Sequence, residues 1–312
     1  MEYSLKELVK FCEKEKVEYY ENQPLAYLIK LLYTAKEKEK SKSLKANYLR
    51  PLFKWTGSKD GEFTDFLKYI PEKYTTYVEM FAGGASLFFY LEPARGVLND
   101  IDEILINFYY NIKQGKLKEI AKFMEKTPKT KKQYDKIRTE LAEKELSPLE
   151  NAKYFYYLRK LSSKGMNKYE DGLFVVPYGE EEARNLDYSQ LLSPKRYETL
   201  LKRTSLHNES YEAIFKEYGG TSKNFIFIDP PYDSTFQNYG FFDFTKKHQE
   251  NLARMFKKTK AKCMIIINKT PLTSRLYHGF IKAQYEKVYR YRATSDDKKG
   301  KIGTIHLVVC NY

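Results

Sequence analysis

The run Asp229-Pro230-Pro231-Tyr232 directly follows the strand-like stretch Asn224-Phe225-Ile226-Phe227-Ile228. A carboxylate, a stiff backbone carbonyl and an aromatic face therefore stand together at the end of a buried strand. Asp229 can accept hydrogen bonds from an amino group, the prolines fix the direction of the chain, and Tyr232 offers a flat surface to a planar ring. Asp-Pro and Pro-Pro are ordinary turn signals after a strand, but a turn alone does not require this string. The chemistry it suits is the grip of a planar ring through its exocyclic amine.

Two further groups stand at strand ends. Phe81-Ala82-Gly83-Gly84-Ala85-Ser86 follows Tyr77-Val78-Glu79-Met80, and its glycines allow a tight turn and close backbone approach to a ligand. Asp100 closes Gly96-Val97-Leu98-Asn99, where an acid can bind both hydroxyls of a ribose. The spacing to Asp100 and the lack of a full G-x-G-x-x-G argue against a pyrophosphate and toward a nucleoside without phosphates, such as S-adenosylmethionine. Upstream, Pro51-Leu52-Phe53-Lys54-Trp55-Thr56-Gly57-Ser58-Lys59 holds the only tryptophan of the chain. A lone tryptophan is more often a packing anchor, yet lysines and a glycine are unusual neighbours for one.

The elements that must position these groups alternate between strand and helix. Residues 77–81 and 96–100 read as strands flanking a helix that begins near Ala85-Ser86-Leu87, a βαβ unit whose ligand end carries the glycines and the aspartate. A lysine- and tyrosine-rich region, 113–215, has mostly helical periodicity, as at Tyr154, Phe155, Leu158 and Leu161. Strands resume at 224–230, at Lys262-Cys263-Met264-Ile265-Ile266-Ile267-Asn268, and at Val288 to Ala293 and Thr304 to Cys310, the last two joined by Ser295 to Lys301 as an antiparallel hairpin. Residues 4–20, with Ser4 and Glu7 as a capping box, and a second stretch from Pro24 read as helices of a small appendage over 1–46. The expected division is that appendage, a catalytic α/β domain over 47–112 and 216–312, and a helical insertion over 113–215.

Composition narrows the classes. With 312 residues and 42% hydrophobic content the chain can bury one large core or two unequal ones. No window approaches a membrane-spanning run, and Met1-Glu2-Tyr3-Ser4-Leu5-Lys6 lacks the order of a secretory signal, so a cytoplasmic protein is expected. Cys12, Cys263 and Cys310 show no paired motif, and His207, His248, His278 and His306 have no ligand spacing; no metal is expected. The 55 Lys+Arg against 41 Asp+Glu leave +14, a field that attracts polyanions. Aromatic content of 16%, with 29 tyrosines, also suits base stacking.

Lys54-Trp55-Thr56-Gly57-Ser58-Lys59, Val78-Glu79-Met80-Phe81-Ala82-Gly83-Gly84-Ala85-Ser86 and Asp229-Pro230-Pro231-Tyr232 resemble, in order, the motifs of the Dam-type DNA adenine-N6 methyltransferases, the D12 class of the alpha group. The resemblance spans about 50 to 312. It implies an α/β fold, a Rossmann-like S-adenosylmethionine-dependent methyltransferase sheet with a terminal antiparallel hairpin and a helical DNA-recognition insertion. It further implies that Trp55, Lys59, Phe81, Gly83, Asp100, Ile101 and Asp229 hold S-adenosylmethionine, that Asp229, Pro230 and Tyr232 are catalytic, and that Lys54, Lys168 and Tyr169 bind DNA. Lys164-Gly165-Met166-Asn167-Lys168-Tyr169, leading to Phe174-Val175-Val176-Pro177-Tyr178-Gly179, resembles the family's DNA-recognition hairpin.

Some positions depart from the pattern. Met80 stands for a usual proline, Ser58 for a common glycine and Val175 for a usual asparagine. Lys168 stands where enzymes that read GATC usually carry a guanine-contacting arginine, and lysine lacks the rigid fork; GATC is one candidate site. Cytosine N4 enzymes more often begin the catalytic run with serine, and RNA adenine or protein glutamine enzymes with asparagine, so Asp229 favours DNA adenine. A non-catalytic relative is disfavoured because cofactor and catalytic motifs are both intact. The expected partner is double-stranded DNA, with no membrane, and a cognate restriction endonuclease is a partner such enzymes can have. The expected form is a monomer, bacterial or phage-encoded, acting in the cytoplasm.

Overall fold

The computed structural model describes residues 48–166, 168–170, 173–232, 244–290 and 301–312; the appendage expected over 1–46 lies outside them. The strands are β1 (Thr76–Glu79), β2 (Gly96–Asn99), β3 (Tyr169–Glu170), β4 (Leu173–Phe174), β5 (Thr204–His207), β6 (Asn224–Ile228), β7 (Lys262–Asn268), β8 (Ile281–Arg290) and β9 (Lys301–Cys310). The helices are α1 (Ser86–Leu91), α2 (Glu103–Lys113), α3 (Leu117–Lys126), α4 (Lys131–Glu143), α5 (Pro148–Leu161), α6 (Glu180–Arg184), α7 (Pro194–Lys202), α8 (Tyr211–Tyr218), α9 (Lys246–Lys258) and α10 (Pro271–Leu276), with short helical turns over 60–69.

Seven strands form one sheet in the order β5-β2-β1-β6-β7-β9-β8. The first five are parallel, and β9 runs antiparallel to both β7 and β8. Central strands of such a sheet are covered on both faces, which demands near-continuous apolar runs. In β6, Phe225 and Phe227 enter one core while Ile226 and Ile228 enter the other. In β7, Met264 and Ile266 oppose Cys263, Ile265 and Ile267 in the same manner. Each such buried side chain contributes about 1.5–3 kcal/mol, an upper figure since unfolded chains are partly compact. Helices α8 and α9 cover one face through Ile214, Phe215, Leu252 and Phe256; α1, α2 and the helices that follow cover the other.

Two parts of the sheet differ from expectation. The hairpin strand expected from Val288 begins at Ile281; its first half alternates Lys282, Gln284 and Glu286 outward with Ala283, Tyr285 and Lys287 more sheltered, so it has period 2 and no apolar run. Edge strand β5 is the polar stretch Thr-Ser-Leu-His, of which only Thr204 is buried, and it carries no strand signal of its own. Its parallel pairing with β2 recruits it.

Between β2 and β5 lies a helical insert. Its central helix α5 starts at a capping box in which Ser147 and Glu150 bond reciprocally, with Pro148 in the first turn where its missing N–H costs nothing. Buried residues lie all round α5, from Ala152 and Phe155 to Tyr156, Tyr157, Leu158 and Arg159. The chain leaving α5 forms the two-stranded β3–β4 hairpin, with Tyr169 opposite Phe174. No helix among the described residues is long and apolar enough to cross a membrane.

Candidate active site at the carboxyl ends of the strands

The residues at the ends of β1, β2 and β6 line one cavity, joined by Trp55 to Lys59 from the preceding segment and by Glu209 to Glu212 and Phe244. All the expected cofactor and catalytic residues, Trp55, Lys59, Phe81, Gly83, Asp100, Ile101, Asp229, Pro230 and Tyr232, are among its lining.

The glycine turn after β1 is shaped by the tryptophan. A Cβ on Gly83 would sit 2.6 Å from Trp55 Nε1, and one on Gly84 would sit 2.9 Å from Trp55 Cβ. Gly83 also has φ +46, a conformation other residues rarely adopt. Tyr109 of α2 donates to Gly83 O at 2.7 Å, and Gly83 N donates to Asp100 Oδ2 at 2.8 Å. The turn is thus pinned from three sides.

Asp100 Oδ1 accepts from Asp102 N at 3.1 Å. Each carboxylate oxygen keeps a further lone pair for a ligand hydroxyl. Burial raises its pKa, and the N–H groups of Gly83, Asp102 and Ile101 oppose that. Asp102 caps α2 through Oδ1, which accepts from Leu105 N at 3.0 Å, while its Oδ2 is buried without a hydrogen-bond partner. Burial and the Asp100 charge push Asp102 up to about 7. Ile101 is 49% exposed and presents an apolar surface. Phe81, Tyr211 and Phe244 form an aromatic wall, with the Phe81 and Phe244 ring centroids 5.7 Å apart.

At the end of β6, Lys59 Nζ donates to Asp229 Oδ2 at 2.6 Å and to Gly57 O at 2.8 Å. The same ammonium stands 5.1 Å from the Tyr232 ring centroid, within cation–π range. Burial raises the pKa of Asp229, and the Lys59 charge and hydrogen bond oppose it. Asp229 Oδ1 is shielded and has no hydrogen-bond partner among the described residues, although the side chain as a whole keeps 21% exposure. A buried acceptor left open is costly, and an incoming N–H donor would satisfy it. Gln249 of α9 donates to Pro231 O at 2.7 Å, which fixes the turn carrying Asp229.

Several residues at the site have no role assigned from the sequence. Glu79 at the end of β1 is buried and lines the cavity. Its Oε2 accepts from Tyr77 OH at 2.8 Å and Phe88 N at 2.9 Å. Burial, with the Asp229 charge adding to it, still lifts its pKa to about 8. Behind Tyr232, the His306 ring meets it edge-on at 5.2 Å. His306 Nδ1 is 2.8 Å from Glu62 Oε2, Tyr285 OH donates to that oxygen at 2.7 Å, and Lys287 Nζ lies 2.7 Å from Glu62 Oε1. Burial would raise Glu62, but His306, Lys59, Lys287 and Tyr285 together hold it down at about 2. The signal available in the sequence was an acid closing an apolar strand (Glu79) and a histidine inside one (His306).

The residues expected to meet DNA lie away from the cavity lining. Lys54 and Lys168 are exposed, and Lys168 pairs with Glu170, two residues further along the same side of the hairpin. Tyr169 is 3% exposed and packs its ring against Phe174 at 5.3 Å; it anchors the hairpin from within. No cluster of three or more His, Cys, Asp or Glu side chains among the described residues could hold a metal ion.

The strand order, the reversed β9, the glycine turn after β1 and the acid after β2 define the fold of the S-adenosylmethionine-dependent methyltransferases, with the Asp229 run lining its cavity. The model of the family described as D12 class N6 adenine-specific DNA methyltransferase matches residues 55–293, and the chain belongs to that family. It is 37% identical over 267 residues to the Type II methyltransferase M.CviBI of Paramecium bursaria Chlorella virus NC1A, covering 85% of this chain and 100% of that one. It is 27% identical over 278 residues to the Type II methyltransferase M1.LlaDCHI of Lactococcus lactis subsp. cremoris, covering 85% and 96%. A DNA adenine methylase of Vibrio cholerae serotype O1 is 27% identical over 265 residues, covering 81% and 92%. The chain is an enzyme of this adenine-specific class.

Proposed function

We propose that this enzyme transfers a methyl group from S-adenosylmethionine to the N6 amino group of an adenine rotated out of double-stranded DNA. The observation that carries this reading is Asp229 Oδ1, shielded and without a partner among the described residues, in the same cavity lining as Tyr232. The lining also fits the methyl donor. Asp100 and Ile101 suit its ribose and adenine, and Asp100 and Asp229 bring carboxyl groups to the lining that favour a cation. Trp55, Lys59, Phe81 and Gly83 complete the set that would hold it.

When bound, the cofactor supplies a methyl group on a positively charged sulfur. The chain's own residues act on the amine. Its lone pair is delocalised into the base, and acceptance of its two N–H groups by Asp229 and the Pro230 carbonyl would turn that lone pair toward the methyl group. The gain comes from orientation and from negative charge placed where positive charge grows on nitrogen. Asp229 is positioned to receive the proton that the alkylated nitrogen loses, and the Lys59 ammonium opposes the upward push that burial gives its pKa. Tyr232 offers a stacking face worth roughly 1–3 kcal/mol per base, against a few kcal/mol for extruding the base.

The helical insert between β2 and β5 supplies lysines for phosphates, and the hairpin with Lys168 is its sequence reader, with Lys54 beside it and GATC one candidate target. The test is methyl transfer from labelled cofactor to duplex DNA, RNA and protein in parallel, followed by methylation-sensitive sequencing of DNA from cells expressing the enzyme. Label at adenine N6 of one short duplex sequence is expected. Label at cytosine N4, or in RNA or protein alone, overturns the reading.

A further inference from the structure

Arg159 of α5 is 2% exposed and joins two segments that serve different ends of the site. Its Nη2 donates to Lys54 O at 2.6 Å and to Gly165 O at 3.2 Å, and its Nη1 donates to Met166 O at 2.7 Å. The guanidinium carbon lies 4.7 Å from the Trp55 ring centroid and 5.8 Å from that of Phe53. The Gly83-Gly84 turn also packs against the indole, so closely that neither glycine has room for a side chain. Trp55 thus touches both the cofactor-side turn and Arg159. On its other side, Arg159 grips the turn that opens the β3–β4 hairpin.

That turn is tightly built. Lys164 and Gly165 both have positive φ, 56 and 64, and a Cβ on Gly165 would meet Lys54 Cβ at 2.9 Å. Ser162 adds its hydroxyl to Met166 O at 3.2 Å. Burying a guanidinium here is expensive, and burial lowers its pKa to about 10. A lysine would not reproduce it, since a point charge on a flexible stem lacks the rigid planar fork that reaches carbonyls of two segments at once beside the indole.

We propose that Arg159 is a positioning residue that fixes the Trp55 wall of the methyl-donor cavity and the base of the DNA-reading hairpin in one frame, so that binding at each is linked to binding at the other. The inference rests on the function proposed above. Linkage of this kind is reciprocal and typically a factor of about 5–150.

The experiment uses the full chain and Arg159→Lys. Trp55 is the only tryptophan, so its fluorescence reports S-adenosylmethionine binding at one place. Titrations are run with and without saturating duplex carrying the methylated sequence, at a temperature well below the melting transition of the variant. Both the cofactor and the DNA dissociation constants are expected to rise on the order of tenfold, and the factor by which duplex tightens cofactor binding to fall toward one. Lys168→Ala, in contrast, is expected to weaken DNA alone. If Arg159→Lys does not fold, Gly165→Ala pushes the hairpin turn, with the Gly165 carbonyl that Arg159 holds, away from Lys54 while the arginine itself is retained, and the same paired loss is expected. A variant that melts lower yet binds both ligands with unchanged constants and unchanged linkage overturns the proposal, as does loss at one ligand only. Failure of the wild-type enzyme to methylate DNA would instead remove the functional reading, and the cofactor titration alone would show which had failed.

Discussion

Asp229 and Lys59 form a pair whose parts do different work. Lys59 occupies Asp229 Oδ2 and leaves Oδ1 for a donor. Asp229→Ala should lower single-turnover methyl transfer by on the order of a thousandfold, the scale of losing an electrostatic partner of the transition state, with duplex binding by gel shift nearly unchanged. Asp229→Asn keeps an acceptor oxygen but no charge, and should fall between. Near-normal turnover in the alanine variant would remove Asp229 from the reaction. Glu79 gives a second residue-scale prediction. Its folded pKa of about 8 lies above the ordinary value of 4.5, so the unfolded chain releases the proton first. Stability should therefore fall as pH rises from about 4.5 to about 8, by on the order of several kcal/mol across the window. Glu79→Gln keeps an acceptor for Tyr77 and Phe88, so its denaturant-derived stability should be flatter there and higher than wild type at pH 8; equal slopes for both proteins would refute the assignment.

Among the elements, β8 and β9 reach the reacting edge through Glu62, which ties Tyr285, Lys287 and His306 to the turn over 60–62 and so supports the Tyr232 ring from behind. The carboxyl is held at about 2 against 4.5. Because the folded pKa is the lower one, the stabilisation is present above about 4.5 and lost as pH falls toward 2. Chemical denaturation across that range should show wild type losing roughly 2–3 kcal/mol more than Glu62→Gln; parallel curves would mean the network is energetically idle. Which elements could be read from the sequence follows from the same physics. Strands β6 and β7 have the bounds that their apolar runs suggest, because both faces of a central parallel strand are covered. The first half of β8 alternates apolar with charged residues, and β5 is held by pairing alone, so neither shows an apolar run.

Across the whole molecule, an excess of 14 positive charges coexists with a cavity rich in carboxyl groups. The surface suits a polyanion and the interior suits a cation. Duplex affinity should therefore drop by on the order of a hundredfold or more between ~50 and ~200 mM salt, while cofactor affinity measured through Trp55 changes little; equal salt dependence would place the cofactor on the open surface.

By itself the sequence determined the strand and helix alternation, the three motifs at strand ends and the net charge, because these depend on residue type, period and order along the chain. It also identified Lys59 and Asp229 separately. Their contact joins residues 170 apart and exists only because β6 pairs with β1. The same holds for the need for glycine at Gly83, set by the packing of Trp55, and for Arg159, which reads as one more basic residue in a lysine- and tyrosine-rich region until folding buries it between two segments. Local pattern specifies elements, while partners distant in sequence are chosen by sheet order and packing, and those choices decided the chemistry of the site.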